Sequence, residues 1–412
     1  MPPIPRFRGT LRVVPFQHEG KDVFLAMDPQ EALFDHQVVL PPVAFVVASF
    51  LDGRRDAAEV QREIAEKLKG ARIPVEDIES VVRDLEDHLL LESERAQDRR
   101  REVEKEFLGR PAREARFVQG TREEVRKEID DYYGSDAGAG RPEERKASGP
   151  LPGILAPHID FRRGGTCYTF AYRAIAERSD HDLYVVFGVA HLSPPNPFVV
   201  TAKDYETALG TVPTDREATA ALEKRLGRRI YEYEGVHRSE HSAEFQAAFL
   251  RHARPGAAFT VLPILVSSFE PWCGEASPST APEVEDFLGA LREIVAPRRA
   301  CVVAGVDFAH VGPVFGDDVK VDQELISWMM SGDTRSLQAC SEGNAEAFWN
   351  SVVSDGNRRH VCGLSATYAA LRLLGGVQGK VLKYGFAPDP AGGIVSFASM
   401  TFEPRSPAAI QI

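Results

Sequence analysis

Three histidines follow short apolar runs at matching positions, and their chemistry sets the reading of the sequence. Residues 153–156 run into Pro157-His158-Ile159-Asp160, and residues 183–189 run into Ala190-His191. Residues 301–306 run into Asp307-Phe308-Ala309-His310. Neutral imidazole is the commonest protein ligand for Zn, Fe and Cu, so three converging rings would hold a divalent ion. Asp160 or Asp307 would add a carboxylate. Two His and one carboxylate make a facial site that suits non-haem Fe(II) and leaves positions open. A single histidine after a strand is usually a hydrogen-bonded turn residue. Recurrence after three strands is what makes a shared site a candidate.

A further cluster, residues 237–244 (HRSEHSAE), contains H-x-x-E-H, the inverted zincin pattern. That chemistry needs His237 and His241 on one helical face with Glu240 as general base. Gly235 lies just before, and apolar helical spacing starts only near Phe245. The other reading puts Glu240 and His241 on a loop or first helical turn, facing the strand ends as an acid–base or ligand pair.

The elements that must position these residues alternate from residue 151 onward. Strands are expected over 153–156, 183–189, 260–266, 301–306, 380–386 and 394–402. Helices are expected over 165–177, 215–226 behind a Thr214-x-x-Glu217 capping box, 243–252, 282–294, 320–330 and 364–374. Apolar strands spaced by helices mean an α/β domain on a mostly buried central sheet. In such sheets the ligand crevice lies outside the carboxyl ends of the strands, where the histidines fall. Gly188 is the small residue expected to let the chain turn sharply there.

The first part of the chain reads differently. Strands are expected over 23–27 and 37–40, a buried helix over 41–51, and a helix from the Asp56-x-x-Glu59 capping box to Gly70. After Pro74, the residues Ile78, Val81, Val82, Leu85 and Leu89 repeat with helical spacing. The pattern predicts a small winged-helix-like α+β module over 1–92. Residues 93–110 read as a charged, solvated linker helix. A Thr121-x-x-Glu124 box opens a helix to about Tyr133, and residues 134–149 read as a loop.

Composition narrows the function classes. Residues 1–150 carry 25 Lys and Arg against 31 Asp and Glu, and residues 151–412 carry 24 against 30, so each part bears −6 of the net −12. Neither part is a basic nucleic-acid binder. Histidine separates them, with three of 11 before residue 150 and eight after. No apolar run approaches the ~20 residues of a membrane span, and no secretory signal core opens the chain, which predicts a cytoplasmic protein without a membrane partner. Five scattered Cys without CxxC spacing read as buried or free thiols in a reducing compartment.

Seven ordered segments carry a resemblance: 155–162 (LAPHIDFR), 187–192 (FGVAHL), 207–216 (TALGTVPTDR), 239–245 (SEHSAEF), 262–267 (LPILVS), 307–313 (DFAHVGP) and 361–364 (VCGL). Together with residues 117–125 (FVQGTREEV), they resemble the Memo family, in the branch called AmmeMemoRadiSam system protein B. The resemblance covers 111–412 and implies a fold like the class III extradiol dioxygenases. It also implies that His158 and His191 are metal ligands and that His241, beside Glu240, is a third site histidine. The family's Cys ligand falls at Ala309, which has no donor, and Asp160 is the candidate replacement. Fe(II) is the first metal implied, with Cu or Zn as alternatives. Residues 50–61 (FLDGRRDAAEVQ) and the helix after Pro74 resemble PqqD-like domains, which implies a peptide substrate for the first module.

The function expected is a metal-dependent, non-haem-iron-like redox or dioxygenase-type enzyme. Its metal sits on His158, His191 and Asp160, with His241 and Glu240 as catalytic acid–base residues and His310, Asp307 and His237 as further site candidates. The resemblance implies radical-SAM and Amme-type partner proteins and a small or peptidic substrate. The rival expectation is a peptide- or anion-binding adaptor that uses the same crevice with Arg162 or Arg163 and no turnover.

Overall fold

The computed structural model describes residues 2–18, 20–69, 72–143, 150–274, 276–389 and 391–405. The expected helix stop at Gly70 and part of the expected loop, 144–149, lie outside the described residues. The chain divides into two compact units, Met1–Gly109 and Arg110–Ile412.

The first unit has a three-stranded antiparallel sheet in the order Arg12–His18, Lys21–Met27, Val38–Leu40. Helices Pro42–Ser49, Ala57–Lys67, Val75–Asp87 and Glu94–Leu108 follow. The Asp56 box forms as expected: Glu59 N–H donates to Asp56 Oδ1 at 2.9 Å and Asp56 N–H to Glu59 Oε2 at 3.0 Å. Strand Arg12–His18 was not expected. It lies at the sheet edge, half-buried at best, so its side chains do not alternate cleanly, and Pro15 is tolerated there. Helix Glu94–Leu108 lies within this unit rather than between two. Most of its charges face water, though Arg100 pairs with Glu31 and Glu92, and Ala96 and Val103 join Val60, Ile64, Ile78 and Leu85 in one core.

The second unit is built on an eight-stranded sheet. Four parallel strands form its middle, in the order Gly153–Ala156, Ala300–Gly305, Leu183–Val189, Thr260–Val266. Antiparallel strands flank them, with Phe198–Val200 beyond Thr260–Val266 and Gly393–Pro404 beyond Gly153–Ala156. His310–Val311 and Val377–Asp389 both pair with Gly393–Pro404. Leu183–Val189 is buried at every residue, which accounts for its apolar run. Alternate residues feed two cores. Val185 and Phe187 pack with helices Pro282–Val295 and Leu364–Leu374, whereas Tyr184 and Val186 pack with helices Phe161–Arg178 and Ser242–Ala253.

Several expectations need correcting. The strands expected over 380–386 and 394–402 are longer and form an antiparallel hairpin, because the few residues joining them leave no room for a crossover helix. The helix expected over 320–330 runs as Gln323–Ser341, and helix Ala345–Val353 was not foreseen. Helix Arg216–Leu226 is capped by Asp215, which accepts from Ala218 N–H at 2.9 Å. The Thr214 hydroxyl instead donates to the Lys203 carbonyl at 2.6 Å. Among the described residues, no helix is long and apolar enough to cross a membrane.

Candidate metal centre

His158 lies two residues past strand Gly153–Ala156 and is buried. Its Nδ1 sits 3.0 Å from the Gly305 carbonyl, which can only accept, so Nδ1 carries the proton and Nε2 keeps its lone pair. The His158 backbone N–H donates to Asp307 Oδ1 at 3.0 Å, tying the ends of two adjacent strands together. Burial, reinforced by the neighbouring His191, holds the His158 pKa down at about 3.

His191 lies two residues past Leu183–Val189. Its Nδ1 stands 2.9 Å from Glu240 Oε2 and its backbone N–H donates to the same oxygen at 3.1 Å. Glu240 also accepts from Ser242 N–H at 2.9 Å. The Glu240 carboxylate is buried, yet the charges and hydrogen bonds of His191, with His241 and the Ser242 N–H, overcome that burial and hold its pKa well below the usual range. Burial opposes protonation of His191, but the Glu240 charge and hydrogen bond outweigh it and raise its pKa well above the usual value. With Nδ1–H committed to Glu240, Nε2 of His191 is the nitrogen left for an ion, whose binding would displace the proton that the raised pKa keeps there.

His241 comes from the turn before helix Ser242–Ala253, and its Nδ1 lies 3.4 Å from Glu240 Oε1. Gly188 explains how that turn reaches the sheet. A Cβ on Gly188 would stand 2.6 Å from Ser242 Oγ and 2.9 Å from Leu265 Cδ2. Ser242 Oγ instead closes on the strand and accepts from Val189 N–H at 2.9 Å. Gly188 therefore serves close approach within the strand, and not the sharp turn expected of it. Phe117 and Phe245 each pack against the His241 ring at 5.4 Å between centroids. Burial, the largest influence, drives the His241 pKa down to about 3.

The three rings meet. Centroid separations are 5.0 Å for His158–His191, 5.3 Å for His158–His241 and 4.9 Å for His191–His241. One nitrogen from each lies within 4.8 Å of the others. First-row ions take His nitrogen at ~2.0–2.1 Å, so the half-exposed His191 and His241 rings need only a small inward adjustment to share one. Nδ1–H bonding to a carbonyl and to a carboxylate is the outer-shell pattern of metal-ligating histidine. Among the described residues these three are the group of His, Cys, Asp or Glu with ligand spacing.

The other sequence candidates fall outside this group, with Asp307 at its border. The Asp160 carboxylate is not in the group, because it caps helix Phe161–Arg178. It accepts from Arg163 N–H at 3.2 Å and from Arg163 Nε at 2.6 Å. Arg163 in turn reaches Asp389 at 3.1 Å, so its guanidinium is engaged by two carboxylates. His237 is fully buried on a 3₁₀ turn, Glu234–Ser239. Its Nδ1 faces the Tyr205 hydroxyl at 2.9 Å and its Nε2 the Val199 carbonyl at 3.0 Å. Both nitrogens are occupied, and extended backbone at Glu240 breaks the helical face that H-x-x-E-H needs. His310 Nδ1 lies 3.2 Å from the Phe308 carbonyl, and its ring packs on Phe315. Asp307 is buried, with Oδ2 3.5 Å from His158 Nε2, and burial pushes its pKa up to about 6. Ala309 is buried among Val311, Met329 and Ile394.

Two site residues escaped the sequence reading. Cys362 precedes helix Leu364–Leu374, and its Sγ lies 3.3 Å from His158 Nε2. Its neighbour Val361 is pinned by Asn357, whose Oδ1 accepts from the Val361 N–H at 2.8 Å. Phe117 is brought over His241 by Glu244, whose Oε1 accepts from the N–H groups of Arg116, Phe117 and Val118 at 3.0, 2.7 and 2.8 Å. Arg113 locks Glu244 through a buried ion pair of 2.6 Å and also donates to the His237 and Glu240 carbonyls. Charged residues tied over such long sequence separations carry no local signal.

The family model described as Memo-like protein matches residues 110–401, nearly all of the second unit. The chain belongs to the Memo-like family. It is 29% identical to a MEMO1 family protein of Aquifex aeolicus over 386 residues, covering 92% of this chain and 96% of that one. It is 28% identical to one of Methanopyrus kandleri over 301 residues, 71% of this chain and 98% of that one. A Thermus thermophilus member is 29% identical over 333 residues, 80% and 93% of the two chains. The Aquifex alignment is longer than the whole second Memo-like unit, so it takes in most of the first unit as well. The Methanopyrus alignment is about the length of the Memo-like unit alone.

Proposed function

We propose that this Memo-like chain is a metal-dependent oxidoreductase of dioxygenase type, holding Fe(II), with Cu or Zn as alternatives, on His158, His191 and His241. The observation that carries the reading is the commitment of Nδ1 on both His158 and His191 to fixed acceptors, which turns the Nε2 of each toward the shared site. A ferrous ion with three protein ligands keeps open positions and supplies redox chemistry. Cys362, beside His158, would add a thiolate in place of the donor missing at Ala309, its S–H proton leaving to solvent as the ion binds. Glu240 holds His191 and His241 in place and neutralises cationic charge. Phe117 and Phe245 shield one flank of His241 from water. Glu240 thereby becomes a positioning residue, and His241 moves from acid–base residue to ligand.

The substrate class proposed is small or peptidic, with a radical-SAM protein and an Amme-type protein as partners in a cytoplasmic system. The first unit, taken as PqqD-like and winged-helix-like, would present the peptide. Edge strand Val38–Leu40 opens on a groove of about 600 Å³ lined by Val39, Pro41, Val43, Val81 and His88, which supports strand addition by an extended chain. The adaptor reading draws less support, since Arg163 is already paired with Asp160 and Asp389.

The test is elemental analysis of protein purified without oxygen from metal-replete cells, followed by oxygen-uptake measurements. Stoichiometric iron, lost in the His158→Ala/His191→Ala double variant, and substrate-dependent uptake are expected. Metal-free protein that matches the double variant in every assay would overturn the reading in favour of an adaptor.

A further inference from the structure

One buried acid sits on a helix that carries no candidate ligand. Asp333 lies in the middle of helix Gln323–Ser341 and is fully buried. A carboxylate in such a place costs several kcal/mol unless it is paired and hydrogen-bonded. Arg359 Nη1 donates to its Oδ1 at 2.5 Å. The Tyr384 and Ser396 hydroxyls donate to its Oδ2 at 2.8 and 2.5 Å.

Two of these partners lead directly to the metal centre. Ser396 Oγ, having given its proton to Asp333, accepts from Ala309 N–H at 2.8 Å. The Ser396 backbone N–H donates to the Ala309 carbonyl at 2.9 Å, and its carbonyl accepts from Phe308 N–H at 2.8 Å. The turn over 307–310 is fixed in this way, and with it Asp307, which holds the His158 backbone. Arg359 stands three residues before Cys362. Its guanidinium also donates to Ser336 Oγ at 3.0 Å and to the Ser351 carbonyl at 3.1 Å. Its carbonyl accepts from His310 N–H at 2.7 Å, so the two turns are joined. Gly332 makes room for this arginine, since a Cβ there would meet Arg359 Nε at 2.5 Å.

We propose that Asp333 is a positioning residue of the metal centre. Through Arg359 it sets the turn that carries Cys362, and through Ser396 it sets the turn that carries Asp307. The inference rests on the metal-binding reading above and adds a residue that touches no metal. A carboxylate serving the fold alone would leave the centre unmoved when lost, provided the chain still folds.

Cobalt(II) binding by the full chain separates the two roles. A sulfur–cobalt bond gives an intense near-ultraviolet band, and histidine ligation gives weak visible bands. The wild type is expected to show both. Asp333→Asn is expected to lower the near-ultraviolet intensity per bound cobalt and to weaken binding ~10–100-fold, the usual loss for an outer-shell partner. Arg359→Lys keeps the charge and loses the planar fork, so the near-ultraviolet band should fall while the visible bands stay. Ser396→Ala should weaken binding and leave the intensity per bound cobalt unchanged. Folded variants with lowered stability but wild-type affinity and spectrum would overturn the proposal. If Asp333→Asn does not fold, Arg359→Lys and Ser396→Ala carry the same test. A wild-type complex without the near-ultraviolet band would overturn the Cys362 arm of the proposal and leave the histidine site standing. Absence of cobalt binding in the wild type, or binding unchanged in His158→Ala/His191→Ala, would overturn the metal reading and this inference with it.

Discussion

On one side of the histidine group, His191 and His241 share the Glu240 carboxylate; on the other, His158 is fixed by the Gly305 carbonyl. The first side is charged and half open to water. The second is drier, with His158 and Asp307 buried and Cys362 half-buried, and burial pushes both ionisable neighbours, Asp307 and Cys362, toward their neutral forms. A charged wall tolerates exposure because the carboxylate supplies its own compensation. A dry wall must be assembled from backbone partners and close packing. One site therefore depends on two kinds of support, and they fail differently.

Removing the charge should have the largest effect. Glu240→Gln leaves a buried amide among donors that a carboxylate satisfied. It is expected to cost about 3–5 kcal/mol in chemical denaturation. Metal affinity should fall ~10–100-fold, as for loss of an outer-shell partner. If both stay near wild type, the charged wall is not held by Glu240. Next is Gly188→Ala, which drives a methyl group into Ser242 Oγ. Overpacking there should cost about 1–3 kcal/mol and weaken metal binding through His241, with His158 untouched. An unchanged affinity would show that the Ser242 turn can shift without moving the ring. Smallest is Asp160→Asn. The cap remains, and a part-exposed ion pair with Arg163 is lost, so stability should change by no more than about 1 kcal/mol. Metal content should stay at the wild-type level; a loss would return Asp160 to the ligand set.

The legible part of the site was the part placed by strands. His158 and His191 stand just beyond runs that are apolar because both faces of the sheet are covered, so the change from apolar to polar marked them. The same logic marked His310, which the pairing of His310–Val311 with Gly393–Pro404 carries away from the group. The sequence alone could not rank these three. His241 and Glu240 stood out by composition, and their loop reading rested on the late start of apolar spacing at Phe245. Cys362 lay inside the 361–364 segment, but no spacing gave it a site role, because the turn that carries it is set by Asn357 and Arg359 and not by any periodic pattern. Asp160 was misplaced for a local reason, since the helix that begins at the next residue competes for the same oxygens that a metal would need. The buried, helix-flanked core of the sheet was legible from apolar runs spaced by helices. The terminal hairpin was not, because strand direction follows from connection length rather than from composition.

Glu244 and Arg113 give the Memo-like unit an unexpected beginning. The alternation of strands and helices starts near residue 151, yet the cover over His241 is made by residues 116–118, held by a carboxylate from the middle of the chain. A fragment cut to begin at the first strand of this sheet would keep all three histidines of the group and still strip away the roof. It would also leave Glu244 as a buried negative charge with no cation to answer it. The shortest piece of this protein able to form its own site therefore starts some forty residues before its sheet does, at about Arg110.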